Sequence, residues 1–119
     1  MIGYDLDDTL ARVEFNLASQ RGLANVFRSA KVIRTPDRPF VVISARPHDT
    51  QAMRNATREW LREHQPNFQR VYYVSGTEQE IIAAKARLIE QLNLTDFYDN
   101  NADIVAKLRG KVSATIHKV

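Results

Sequence analysis

Cysteine is absent from all 119 residues. Its absence excludes disulfides, thiol nucleophiles and thiolate metal sites, and makes a reducing cytoplasm the expected compartment. No apolar run approaches the roughly 20 residues that a membrane-spanning helix needs, and the acidic start of the chain lacks the basic-then-apolar layout of a signal peptide. A membrane partner is therefore not expected. Repeats and low-complexity tracts are missing as well. What is present is ordinary for a soluble globular protein, with 44% apolar and 26% charged residues. The length suits a single domain over residues 1–119, with room for one real core and not for a second domain.

The net charge of +3 is small but unevenly placed. Arg12, Arg21, Arg28, Lys31, Arg34 and Arg38 stand against only Glu14 and Asp37 in the stretch 12–38. A local basic bias favours an anionic partner such as nucleic acid. A solvated helix face produces the same composition.

Apolar runs and turn signals alternate along the chain. Residues 1–4 read as a short buried strand. Asn16 as an N-cap opens a helix over 16–30, with Leu17, Leu23, Val26, Phe27 and Ala30 inward and Gly22 weakening it. Pro36, Asp37 and Pro39 break the chain. Phe40-Val41-Val42-Ile43 is an uninterrupted apolar run, the mark of a strand buried on both faces, and it stops at Ser44-Ala45-Arg46-Pro47. Asp49 is the expected cap of a helix over 50–64 carrying Ala52, Met53, Ala56, Trp60 and Leu61 inward. Pro66 follows as its stop.

Val71 to Val74 reads as the next strand. Thr77 with Glu80 forms a capping box for a helix bearing Ile81, Ile82, Leu88, Ile89 and Leu92. Phe97-Tyr98 is a short strand closing on Asp99. Asn100 or Asn101 then caps a helix with Ile104, Val105 and Leu108, stopped at Gly110, and Val112 to His117 makes a last strand. Strands alternating with helices imply an α/β fold, a doubly wound, Rossmann-like sheet of about five parallel strands with helices on both faces. In such sheets ligands sit outside the carboxyl ends of the strands.

Those strand ends carry the chemistry. Ile2-Gly3-Tyr4 runs straight into Asp5-Leu6-Asp7-Asp8-Thr9-Leu10, three carboxylates within four positions followed by a hydroxyl. Two carboxylates at i and i+2 past a strand end can share a divalent cation, and one can attack phosphorus while the other handles protons. An acidic turn capping its own backbone would look similar, although the fuller pattern Asp-x-Asp-x-Thr-Leu arises by chance in only roughly one in several hundred chains this long. Ser44 ends the second strand with Arg46 beyond it, Lys85 lies in the helix after the third strand, and Asp99 ends the fourth with Asp103 four residues on. A hydroxyl and a cation for the non-bridging oxygens, Mg²⁺ for charge and a carboxylate to attack are the parts of a phosphoryl-transfer site.

Together these residues resemble the four motifs of the haloacid dehalogenase (HAD) superfamily of phosphohydrolases: Asp5-Leu6-Asp7-Asp8-Thr9-Leu10 the first, Ser44 the second, Lys85 the third, and Asp99 with Asp103 the fourth. The order is the family's, and the resemblance covers nearly the whole chain. It implies a Mg²⁺-dependent phosphomonoesterase. Asp5 would be the nucleophile that forms an aspartyl-phosphate and a metal ligand. Asp7 would protonate the leaving group, then activate water, and offer its backbone carbonyl to the metal, with Thr9 orienting it next to the substrate. Ser44 and Lys85 would bind the phosphoryl group, Lys85 also restraining Asp5. Asp99 would be the second direct metal ligand and Asp103 an indirect one. Asp8 stands where the family often has glycine.

Each assignment has a plain structural counterpart: a turn hydroxyl for Ser44, a solvated helix lysine for Lys85 with Lys107 as its rival, a helix-start acid for Asp103. The intervals between motifs leave space for a minimal cap or none, which resembles relatives acting on macromolecular phosphates. A nucleotide or a nucleic-acid end is the expected substrate class, and an oligomer is compatible. Ser44-Ala45-Arg46 also resembles the Ser-Gly-Arg stretch in the phosphatase domain of phage-type polynucleotide kinases, which would make Arg46 a phosphate clamp; a surface arginine before a proline is the alternative. A response-regulator receiver domain would need an acid at the end of the third strand, where this chain has Val74-Ser75-Gly76. A non-catalytic binding or assembly module on the same fold is the other class that fits.

Overall fold

A computed structural model describes all residues 1–119. Five parallel strands form the central sheet: β1 (Ile2–Tyr4), β4 (Phe40–Ser44), β5 (Phe68–Tyr73), β6 (Asp96–Asp99) and β7 (Thr115–Lys118). Their order across the sheet is β5-β4-β1-β6-β7, so the chain builds outward from β1 on one side and then returns to build on the other. The doubly wound expectation is met. The switch point, where a ligand crevice forms, lies between β1 and β6.

Alternation of side chains along the strands feeds two cores. Tyr4, Phe40 and Val42 point to one face, where α2 (Leu23–Arg28) and α3 (Gln51–His64) cover them with Val26, Phe27, Ala56, Trp60 and Leu61. Val41, Ile43 and Phe97 point to the other, under α4 (Glu78–Gln91) and α5 (Ala102–Arg109), which bring Ile82, Ile89, Val105 and Leu108. β4 is buried at every position, as an apolar run shared between two helical layers must be.

Several boundaries differ from the sequence reading. The helix expected over 16–30 is split: a 3-10 turn over Phe15–Leu17, α1 (Ala18–Arg21) and α2, with Gly22 between them at φ +83°, a conformation only glycine adopts without strain. Asn16 lies inside the 3-10 turn and caps nothing. Thr50, not Asp49, caps α3 by accepting the Met53 N–H, and the helix phase this sets leaves Ala52 exposed. β5 begins earlier, at Phe68, and β7 later, at Thr115. Asn101 caps α5, and the Thr77–Glu80 capping box opens α4. Gly110 follows α5 at φ −87°, so its left-handed freedom is unused.

Between β1 and β4 the chain makes a small flap. β2 (Ala11–Arg12) pairs antiparallel with β3 (Lys31–Val32), and α1 and α2 join them. The flap is tied to the loop after β1 by the Ile33 N–H on the Leu10 carbonyl at 2.8 Å and by Arg34 Nη1 on the Thr9 carbonyl at 2.6 Å.

Candidate active site

β1 ends where β6 holds it: the Asp5 N–H donates to the Tyr98 carbonyl at 2.8 Å, extending the pairing one residue past the strand. Asp5 therefore stands at the switch point beside Asp99, the last residue of β6. Lys85, two turns into α4, reaches between them. Its ammonium donates to Asp5 Oδ1 at 3.1 Å and to Asp99 Oδ2 at 3.0 Å, and the lysine is only 2% exposed. The second oxygen of each acid is also engaged. Thr9 Oγ1 donates toward Asp5 Oδ2 and the Asn100 side-chain oxygen, both at 3.2 Å, and Asp99 Oδ1 accepts the Asn101 N–H at 3.0 Å. Asp5, Thr9, Lys85 and Asp99 thus form one connected cluster.

Two acids share one ammonium in a place mostly closed to water. Burial pushes the Asp5 carboxyl up to about 6 and the nearby charges of Asp99 and Asp7 add to the effect, against the pull of Lys85. Burial pulls the Lys85 ammonium down, but the two carboxylates overcome this and raise it, so the lysine is charged across the physiological range.

Asp7 belongs to a second cluster. Both its oxygens take the guanidinium of Arg46: Nη2 donates to Oδ1, and Nε to Oδ2 at 3.2 Å. Arg46 is buried. Its Nη1 donates to Thr57 Oγ1 at 3.1 Å, and its guanidinium lies 4.0 Å from the centre of the Phe27 ring. A planar cation stacked on a ring and forked on a carboxylate is fixed in orientation as well as charge. Arg46 holds an acid of the site here, where the sequence offered it as a phosphate clamp.

Ser44 closes β4 on the other side of β1. Its hydroxyl is buried, accepts the Arg46 N–H at 3.1 Å, and has its own proton to give. Thr9, expected to orient Asp7, bonds Asp5 instead. Asp103 is not brought to the cluster: it sits on the surface in a 3.1 Å pair with Lys107, which also approaches Glu78 at 3.8 Å. Lys107, the rival to Lys85, is accounted for there.

Two contributors, Phe27 and Thr57, have no place in the sequence reading of the site, and Phe27 reads there as ordinary core. Thr57 left a usable signal, a hydroxyl interrupting the inward stripe of α3. The basic stretch 12–38 is also partly absorbed by structure: Arg34 pins the flap, Arg28 pairs with Glu59 at 2.8 Å, and Arg38 lies 3.9 Å from its neighbour Asp37.

No protein-family model, curated protein or solved structure matches the chain. The chemistry therefore rests on the residues themselves. No three His, Cys, Asp or Glu side chains converge as a ready-made metal cluster. Mg²⁺ commonly takes one or two carboxylates and keeps several waters. Asp5 and Asp99, with the Asp7 carbonyl that receives no backbone donor, are the residues that could hold it, and three acids against two cations leave negative charge for it to balance.

Proposed function

We propose that the chain is a Mg²⁺-dependent phosphomonoesterase of the HAD type, working through an aspartyl-phosphate on Asp5. The observation that carries this reading is the Lys85 ammonium between Asp5 and Asp99, at 3.1 and 3.0 Å. A nucleophile, a second acid on the neighbouring strand and a fixed cation at the switch point are the minimum for in-line phosphoryl transfer.

Asp5 and Asp99 would hold Mg²⁺ through their carboxylates and Asp7 through its carbonyl; Asp103, paired with Lys107, is left out of that set. When bound, the ion would neutralise charge on the phosphoryl oxygens. An oxygen of Asp5 attacks phosphorus, the bond to the leaving alcohol breaks, and Asp7 gives that alcohol its proton. Asp7 then takes a proton from a water that attacks the same phosphorus, releasing inorganic phosphate and restoring Asp5. Lys85 stabilises the non-bridging oxygens throughout, and the Ser44 hydroxyl adds a donor from the adjacent strand. Arg46 occupies both oxygens of Asp7, so each proton transfer requires one of those hydrogen bonds to open.

The flap is small, and nothing the size of a cap domain covers the strand ends. That openness supports a nucleotide or a nucleic-acid end as the substrate. One observation favours a second reading, a weakly active binding module: every carboxylate oxygen of Asp5, Asp7 and Asp99 is already hydrogen-bonded within the protein.

The deciding measurement is release of phosphate from p-nitrophenyl phosphate. Turnover that needs Mg²⁺ and falls by about 10³-fold or more in Asp5→Asn is expected. A wild-type chain that turns over neither this ester nor nucleoside monophosphates, sugar phosphates or phosphorylated oligonucleotides would leave the binding-module reading in its place.

A further inference from the structure

β5 is the free edge of the sheet, bonded to β4 alone, and α3 overhangs it. Between them runs a groove of about 500 Å³ lined by Arg58, Arg62, Phe68, Gln69, Arg70 and Val71. None of its three arginines has a carboxylate partner; of the two acids of α3, Glu59 is turned away to Arg28 and Glu63 pairs with no cation. Arg58 and Arg62 stand four residues apart, a step of about 6 Å along a helix, and Arg54 continues the row toward the strand ends. Arg70 edges the groove from the strand, and its guanidinium turns to the sheet's other face, 5.5 Å from the centre of the half-buried Tyr72 ring.

A single charge is enough to keep an edge strand from pairing with another chain. Arg58 and Arg62 in a row along one wall, with the arginine-bearing edge of β5 along the other, exceed that need. An extended acidic peptide adding itself to the edge would require a regular ladder. The register instead shifts here, Phe40 pairing with Phe68 but Val41 with Arg70, so that Gln69 bulges out and both Gln69 and Arg70 are exposed. Irregular backbone lined by arginines and aromatic edges suits a flexible phosphate chain, with bases free to stack on guanidinium or ring.

The groove lies along the strand that ends beside the site. β5 ends at Tyr73, paired with Ser44 of β4. Burial raises the Tyr73 phenol, and Thr57 with the guanidiniums of Arg46, Arg58 and Arg54 pulls it back. Arg58 thus lines the groove and acts on the same phenol as Arg46, which holds Asp7.

We infer that the groove between α3 and the free edge of β5 binds the sugar–phosphate backbone of a single-stranded nucleic acid and delivers its phosphorylated end to the Asp5–Lys85–Asp99 cluster. The delivery rests on the phosphatase reading; the binding does not.

The test is fluorescence anisotropy with a labelled oligothymidylate and its oligouridylate counterpart, both without terminal phosphate, titrated with the full chain over a range of salt. Binding weakened on the order of tenfold in the triple variant Arg58→Ala, Arg62→Ala, Arg70→Ala is expected. The slope of log affinity against log salt should become shallower by about 2, at about 0.7 for each phosphate no longer neutralised. Replacing the same three residues by lysine should keep most of the slope. Removing three charges from the far face instead, in Arg87→Ala, Lys111→Ala, Lys118→Ala, should leave affinity nearly unchanged. Wild-type protein that binds neither oligonucleotide, an unaltered slope in the triple alanine variant, equal losses in the far-face control, or tighter capture of polyglutamate than of either strand would each overturn the inference. Hydrolysis of p-nitrophenyl phosphate is read in parallel. The groove variants should keep it, so a failure of the groove and a failure of the phosphatase reading give different patterns.

Discussion

Lys85 and Lys107 have the same kinds of neighbour. Each lies on a helix, and each approaches two carboxylates, Asp5 and Asp99 in one case, Asp103 and Glu78 in the other. Their surroundings are opposite: the Lys85 side chain is 2% exposed and that of Lys107 is 52% exposed. In water an ammonium and a carboxylate lose little by parting, because solvent replaces each partner. Under the sheet's carboxyl edge no such replacement exists, and removing one member strands the others. Identical composition therefore yields a surface ornament in one place and an obligatory unit in the other.

The largest break in this comparison is Lys85→Met. It leaves Asp5 and Asp99 buried without a countercharge, and a loss of about 3–5 kcal/mol in urea unfolding at pH 7 is expected. Neutralising all three together, in Lys85→Met, Asp5→Asn, Asp99→Asn, should recover most of that loss. A triple variant as unstable as the single one would show that packing of the lysine stem, not charge, holds the cluster.

The pH dependence of Asp5 comes next. Its carboxyl is raised from 3.8 to about 6, so its protonated form is favoured by folding. The stability it contributes is complete below the ordinary carboxylate pKa and is lost as pH rises past about 6, a difference of about 3 kcal/mol at most. Lys85, raised above an already high value, titrates outside this window. The difference in unfolding free energy between wild type and Asp5→Asn, followed from pH 4 to pH 7 without metal, should carry this step. If Asp5 titrates near 4, the difference will be flat above pH 5. Mg²⁺, binding the ionised form, should move the step to lower pH.

At the small end stands Lys107→Ala. No measurable shift in the unfolding midpoint is expected, and phosphate release should be unaffected. A clear loss in either would mean that Asp103 matters to the site after all.

The contrast also explains what could be read from the chain alone. Apolar runs located the strands, because a run such as Phe40–Ile43 has no other soluble use than a sheet covered on both faces. Asp5, Ser44 and Asp99 followed as strand ends, and Lys85 as the residue spaced to reach them. Partner choice was not legible. Nothing near Arg46 in the sequence says that it lies against Phe27 and Thr57, nineteen and eleven residues away, and so holds Asp7. Asp103 looked like a site acid because its spacing from Asp99 is right, yet the phase of α5 turns it to Lys107. The split at Gly22 was visible as a weakness but not as two helices, since φ +83° depends on how the flap closes on the sheet.

The loop carrying the acids also has a backbone consequence. Asp8 sits at φ +63°, with its N–H on the Ala11 carbonyl at 2.7 Å. Few residues accept that geometry. A library randomised at this codon and sorted for folded protein should return a short alphabet of Gly, Asn and Asp, with β-branched letters depleted. The glycine common at this position in the family it resembles would then reflect the shape of the turn rather than the chemistry beside it.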